Sequence, residues 1–232
     1  MASLAQAFTV LILSLALLAA SPAIASQCYG SVSNGRIVDA VRLPAGGENF
    51  AAYSALGVLA GRTYVHSKVA AAVTGSYASI AQRQPELHFV YAETGWAKGG
   101  RIRPHRTHQN GLSVDFMVPV RDGQGQSAAL PSNLANRYGY DIEFDRRGRF
   151  EDYTIDYAAM AEHLYQLRKA AMSVGIDISL VIFDPPLLPQ LFATSRGEYL
   201  RTHLKFLARS AWVRHDEHYH VDFAVPCKSM SQ

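Results

Sequence analysis

Two short segments, far apart in the chain, do most to constrain its fold: Ser113-Val-Asp-Phe-Met-Val118 and His218-Tyr-His-Val-Asp-Phe223. Successive side chains of a strand point to opposite faces, so this alternation marks strands with one buried face. In the first, Val114, Phe116 and Val118 share a face, and Ser113, Asp115 and Met117 share the other. In the second, Tyr219, Val221 and Phe223 face one way, and His218, His220 and Asp222 the other. Paired in one sheet, the two strands bring Asp115 and His220 together on the polar side. The approaches add His105 and His108 before the first strand, and His215, Asp216 and Glu217 before the second. Gly111 supplies the free backbone torsion that folds the His108 loop back over the strand end.

Catalytic zinc takes three protein ligands from imidazole and carboxylate and leaves a fourth position for water. His108, Asp115 and His220 supply that set, so the residues predict hydrolysis at one Zn²⁺ per chain. The remaining histidines, His66, His88, His163 and His203, each stand alone in a helix- or strand-like run and are read as ordinary core or surface residues.

The paired motif, His108-x6-Asp115 with a later His218-Tyr-His220, resembles the penicillin-insensitive murein endopeptidases, zinc peptidases grouped with lysostaphin-type and D-Ala-D-Ala metallopeptidases. Glu93-Thr-Gly-Trp, Gly99-Gly100, Pro104-His105-Arg-Thr-His108-Gln-Asn-Gly-Leu and His215-Asp216 extend the likeness, which spans roughly residues 40–225. The resemblance implies cleavage of peptide crosslinks in peptidoglycan, notably the D-Ala to meso-diaminopimelate bond. It implies His108, Asp115 and His220 as zinc ligands, His218 beside the attacking water, and His105 and His215 as further catalytic histidines lining the site. One departure stands out. Asp222 occupies a place that is usually arginine in that family, which leaves recognition of a substrate carboxylate without its expected residue.

Glu217 raises a second possibility. Glu217-His-Tyr-His220 has the E-x-x-H spacing of D-Ala-D-Ala dipeptidases and carboxypeptidases, in which the glutamate resembles a general base. Simple alternation points Glu217 away from His220 unless a bulge turns it in, so His218 is the expected base. Asp216 is expected to hold one of the neighbouring imidazoles. Arg101, Arg103 and Arg106 are either grips for stem-peptide carboxylates or a solvated basic loop. The alternatives to a murein endopeptidase are a zinc D,D-carboxypeptidase or dipeptidase, and a non-catalytic peptidoglycan-binding module.

The start of the chain predicts export. Phe8 to Ala20 is apolar but too short to span a bilayer, and Ala23-Ile-Ala25 reads as a signal-peptidase site. Residues 1–25 are therefore expected to be a signal peptide, with 26–232 a single periplasmic domain and no stable membrane insertion after cleavage. The only cysteines, Cys28 and Cys227, suit a disulfide in an oxidising compartment. A net charge of +3 suits an anionic polymer but, without a basic run or a recognised motif, indicates no nucleic acid.

Coarse patterning predicts an α+β fold: a central, mainly antiparallel sheet carrying the zinc ligands, with flanking helices. Val69, Ala72, Val73, Tyr77 and Ile80 mark one helix, ended by Pro85, and Tyr157, Met160, Leu164 and Leu167 mark another. Leu87–Tyr91 and Ile178–Phe183 read as strands. Residues 140–144 and 150–155 read as a hairpin around Arg146-Arg-Gly-Arg149, and 121–127 as a loop flanking the cleft. Asp184 reads as the cap of a short helix starting at Pro185. Residues 196–209 read as helical.

Overall fold

A computed structural model describes residues 25–231. The predicted signal sequence lies outside the described residues, save Ala25. Five strands form the central sheet: β1 (Phe50–Ala52), β2 (Phe89–Tyr91), β3 (Ser113–Met117), β4 (Asp177–Ile182) and β5 (His218–Ala224). Their order is β4-β5-β3-β2-β1, antiparallel throughout except for the parallel β2–β1 pair. The expected α+β class, with a mainly antiparallel sheet, is what the chain adopts.

The two polar-striped strands are neighbours and pair antiparallel. His220 stands opposite Asp115, Asp222 opposite Ser113, and Tyr219 opposite Phe116. The apolar face of these strands packs under two helices, α1 (Ser67–Ala81) and α2 (Tyr157–Ser173). Helix α1 turns Val69, Ala72, Val73, Tyr77 and Ile80 inward, the stripe that its spacing predicts. The ring of His66 caps it by accepting the Lys68 N–H at 3.2 Å, and the Asp156 carboxylate caps α2 through the Ala159 N–H at 3.0 Å.

His163 of α2 lies wholly within this core. It stacks on Tyr77 with ring centroids 5.0 Å apart, and its Nδ1 accepts from the Tyr219 hydroxyl at 2.6 Å. Tyr219 also stacks on Phe116, with centroids 5.4 Å apart. The residues alternating with the site residues on β3 and β5 are therefore anchored in the core, which sets where the polar stripe sits.

Cys28 and Cys227 form a disulfide, as the cysteine count suggested, with Cα atoms 4.8 Å apart. It ties the N-terminal hairpin, Gln27–Ser31 with Asn34–Val38, to the segment that follows β5. Gly30 and Lys228 reinforce the junction through a backbone hydrogen bond of 2.9 Å.

Several predicted elements fall differently. Helix α1 stops at Ala81, ahead of Pro85, with a Gln82 cap. The helix predicted over 196–209 covers only Gly197–His203. Asp184 precedes a 3₁₀ turn, Pro185–Leu187, but its side chain makes no cap there and instead pairs with Arg214 at 3.1 Å. Residues 121–127 close a tight hairpin between Val120–Arg121 and Ser127–Ala128 and take no part in the cleft wall. The predicted 140–155 hairpin is shorter, pairing Arg149–Phe150 with Tyr153–Ile155. Its turn lies at Glu151 and Asp152, and residues 140–144 leave the sheet to serve the polar face.

Candidate active site

Asp115 is the centre of that face. His220 Nδ1 lies 2.8 Å from Asp115 Oδ1, and His108 Nε2 lies 3.2 Å from the same oxygen. His105 Nδ1 and His218 Nε2 lie 3.6 and 3.9 Å from Oδ2. His215 packs against His218, with ring centroids 4.5 Å apart. All five histidines singled out in the sequence converge here, while His66, His88, His163 and His203 stay away.

Gly111 has φ +77°, and a Cβ there would meet the backbone nitrogen of His66 at 2.9 Å, so the position where the loop turns back favours glycine. His108 itself has φ +68°. A left-handed non-glycine residue costs of order 1–3 kcal/mol and persists where the surroundings hold it, often at functional sites.

Four of the five imidazoles have their second nitrogen on an acceptor. His108 Nδ1 donates to the Thr94 carbonyl at 3.0 Å, and His215 Nδ1 to the Val213 carbonyl at 2.9 Å. His220 Nε2 donates to Asp222 at 2.8 Å and His105 Nε2 to Glu93 at 2.5 Å, while His218 Nδ1 lies 2.7 Å from Glu217. A neutral imidazole that donates through one nitrogen offers a lone pair on the other. The outer partners thus aim the remaining nitrogens inward.

His108 Nε2 shows what that aim serves. The residue is fully buried, and among the described residues this atom makes no hydrogen bond, although Asp115 Oδ1 lies 3.2 Å away. Leaving such an atom unsatisfied costs roughly 1–3 kcal/mol, a debt that a cation removes. His105, His108 and Asp115 offer ligand atoms within 4.8 Å of one another, with His220 Nδ1 against the same carboxylate. Imidazole nitrogen plus carboxylate oxygen fits a divalent metal of zinc type.

The electrostatics separate the roles. Burial opposes charge on Asp115, yet His108 and His218 hold it well below the usual carboxylate range. Burial likewise opposes charge on Glu93, but His105 and Arg62 bring it down to about 2. Burial lowers His108, and brings both His215 and His218 to about 4. For His220 burial is outweighed by Asp222 and Asp115, which push it up to about 10. The two carboxylates thus favour the protonated ring, and a metal bound at Nδ1 competes with that proton. Burial raises Glu217 to about 9.

Glu217 reaches the cleft without a bulge. The chain bends at Asp216 and Glu217, and β5 begins only at His218, so strand alternation does not govern Glu217. Asp216 holds no imidazole, contrary to expectation. Its carboxylate accepts the Phe144 N–H at 2.5 Å and pairs with Arg214 at 3.2 Å, bracing the 140–144 segment.

That segment delivers Tyr140, which the strand reading missed. Its hydroxyl donates to Asp115 Oδ2 at 3.0 Å and accepts the Glu93 N–H at 3.2 Å. Glu93 is further clamped by Arg62 at 2.5 and 2.7 Å and by the Tyr53 hydroxyl at 2.9 Å. Glu93-Thr94 did belong to the stretch that carried the family likeness. Tyr53, Arg62 and Tyr140 had no local signal.

A cavity of about 640 Å³ opens over the centre, floored by His105, His215, Glu217, His218 and His220 and walled by Arg106 and Trp212. A smaller one of about 200 Å³, with Tyr53, Leu134 and Tyr138, shares Pro104, His105, Arg137 and Tyr140 with it. Arg101 and Arg103 line neither.

Fold and site together define an α+β protein with a histidine–carboxylate centre of the metal-site type at the foot of an open cleft. The profile of the penicillin-insensitive murein endopeptidases matches residues 28–231, and the chain belongs to that family. It is thus a hydrolase whose family acts on peptidoglycan, material found outside the cytoplasm. No curated protein matches the chain. Among the described residues, no helix is long and apolar enough to cross a membrane.

Proposed function

We propose that this protein is a zinc-dependent D,D-endopeptidase that cuts the D-Ala to meso-diaminopimelate crosslink of peptidoglycan, with His108, Asp115 and His220 as metal ligands. The observation that carries the reading is the buried Nε2 of His108, which makes no hydrogen bond among the described residues and is set beside the Asp115–His220 pair at the foot of the cleft. His220 is preferred to His105 as third ligand because it is buried in the sheet opposite Asp115. His105 instead lies between the two cavities, where substrate passes. The residues before Ser26 act as a signal peptide, and the domain from Ser26 onward works in the periplasm.

Held by His108, Asp115 and His220, a zinc ion would supply polarisation of the scissile carbonyl and acidification of a water. The chain's own groups handle the proton. Glu217, when ionised, accepts the Nδ1 proton of His218 and leaves Nε2, the atom facing Asp115, free to act as general base. His215 and His105 flank the same space and, when protonated, stabilise the developing oxyanion or donate to the leaving amine. Two adjoining cavities that share His105 and Tyr140 suit a substrate that continues beyond the cut, as a crosslink does. A carboxypeptidase needs depth on one side only.

Mass spectrometry of purified peptidoglycan, incubated with the zinc-loaded protein and with His220→Ala, tests this. Loss of crosslinked dimers with a matching gain of monomers is expected, and only with the parent protein. Shortened stems on intact dimers would establish a carboxypeptidase, and saturable binding without cleavage a peptidoglycan-binding module. Zinc-loaded Glu217→Gln that is dead beside an active His218→Ala would transfer the base role to Glu217.

A further inference from the structure

Asp222 stands where the family resemblance led us to expect arginine, and the structure gives it different work. It is 6% exposed, on the polar face of β5, one pleat beyond His220. Its Oδ1 receives two donors: His220 Nε2–H at 2.8 Å and the Ser113 hydroxyl at 2.6 Å. Ser113 lies directly across the sheet, as Asp115 lies across from His220. The Ser113 oxygen in turn accepts the backbone N–H of His108 at 3.4 Å. A buried chain of contacts therefore runs from the His108 loop through Ser113 and Asp222 to the ring of His220.

From this geometry we infer that Asp222, held by Ser113, is the positioning residue that presents His220 to the metal through Nδ1. An imidazole bound through Nε2–H has its lone pair on Nδ1, and Nδ1 is the atom beside Asp115. Hydrogen-bonded carboxylates behind ligating histidines set ring orientation and ligand basicity, and their loss weakens metal binding by about 10–100-fold. The short Asp222 side chain reaches Nε2 because both residues project from the same face of one strand, two positions apart. An arginine here would instead place a donor against a donor, since Nε2 would have to give up its proton to accept. The role rests on the zinc reading proposed above.

The test is zinc affinity of the full chain, measured by competition with a chromophoric chelator. It is joined by the visible spectrum of the Co²⁺-loaded protein and the thermal midpoint of the metal-free protein. We expect Asp222→Ala to weaken zinc about 10–100-fold and to alter the cobalt bands. Asp222→Asn, whose amide oxygen still accepts from Nε2–H, should restore most of the affinity. Ser113→Ala should weaken zinc several-fold. A purely structural role would lower the thermal midpoint and leave affinity and bands unmoved. Folded Asp222→Ala with parental affinity and spectrum overturns the inference alone. If Asp222→Ala does not fold, Ser113→Ala and Asp222→Asn decide: parental affinity in the first, or a loss in the second as large as that of His220→Ala, overturns it. A parent that takes up no zinc overturns the zinc reading with it.

Discussion

His163 makes stability depend on pH in a way that can be calculated. It is fully buried and neutral, and burial lowers its pKa from 6.5 to about 3. Among the described residues, its ring nitrogens meet only the Tyr219 hydroxyl, at 2.6 Å, and the Ser76 hydroxyl, at 3.4 Å. A histidine whose folded pKa is depressed contributes stability that is complete above its unfolded pKa. That contribution is lost as pH falls from 6.5 toward 3. At 1.36 kcal/mol per unit, the full span is about 5 kcal/mol. Linkage places about 0.2 kcal/mol of the loss at pH 7 and about 2 kcal/mol at pH 5. Replacing both buried partners, His163→Phe with Tyr219→Phe, removes the titrating group and strands no hydroxyl, so stability near pH 7 should change little. Urea unfolding of the metal-free, disulfide-intact protein should then show the two curves diverging below pH 6.5. At pH 5 the double variant should gain about 2 kcal/mol on the parent relative to pH 7, or about 1 M urea at an m-value near 2 kcal/mol/M. His215 and His218 titrate in both proteins and cancel in the difference. A gap independent of pH between 7 and 4.5 would refute the claim that His163 is buried neutral.

Other perturbations reach other parts of the molecule. The disulfide spans a sequence separation of 199, so Cys28→Ser with Cys227→Ser should cost about 5 kcal/mol by loop-closure entropy. A thermal melt unchanged from the oxidised parent would contradict that. Arg106 makes no ion pair among the described residues and lies over Trp212 at 5.0 Å, whereas Arg214 and Arg137 already hold carboxylates. Arg106→Ala should therefore raise KM about tenfold for crosslinked peptides with a free carboxylate while leaving kcat and the KM for amidated ones nearly unchanged. Equal effects on both substrates would rule out a carboxylate contact. Tyr140→Phe removes the hydroxyl that steadies Asp115 and should weaken zinc several-fold in chelator competition with little change in melting temperature.

What could be read from the chain follows from how the physics is encoded. Alternation at 113–118 and 218–223 predicted two strands and which side chains share each face, whereas their pairing and register, with His220 opposite Asp115, are set by the tertiary fold. The disulfide was legible because two cysteines allow one pairing. Tyr140, Arg62 and Tyr53 were not legible. Each reaches the site by tertiary placement, and an isolated tyrosine or arginine carries no periodic signal. Residues 140–144 alternate well enough to suggest a strand, but Tyr140 bonds to Asp115 and Phe144 to Asp216 instead of to a neighbouring strand. Asp222 was noticed as an oddity against the family pattern, and only its distance to His220 Nε2 gave it a role.

The link between Cys28 and Cys227 turns nearly the whole described domain into a closed ring. A protease that cuts one exposed loop, such as the 122–126 turn, opens that ring but does not separate its pieces. Both fragments stay tethered, with an effective concentration for each other in the millimolar range expected of short linkages. A nicked molecule can therefore keep its sheet assembled, and β3 and β5, which lie on opposite sides of that turn, remain partners. On a non-reducing gel it runs as one band, and only reduction shows that it was cut. For a member of a family that acts on peptidoglycan, that covalent closure amounts to tolerance of damage.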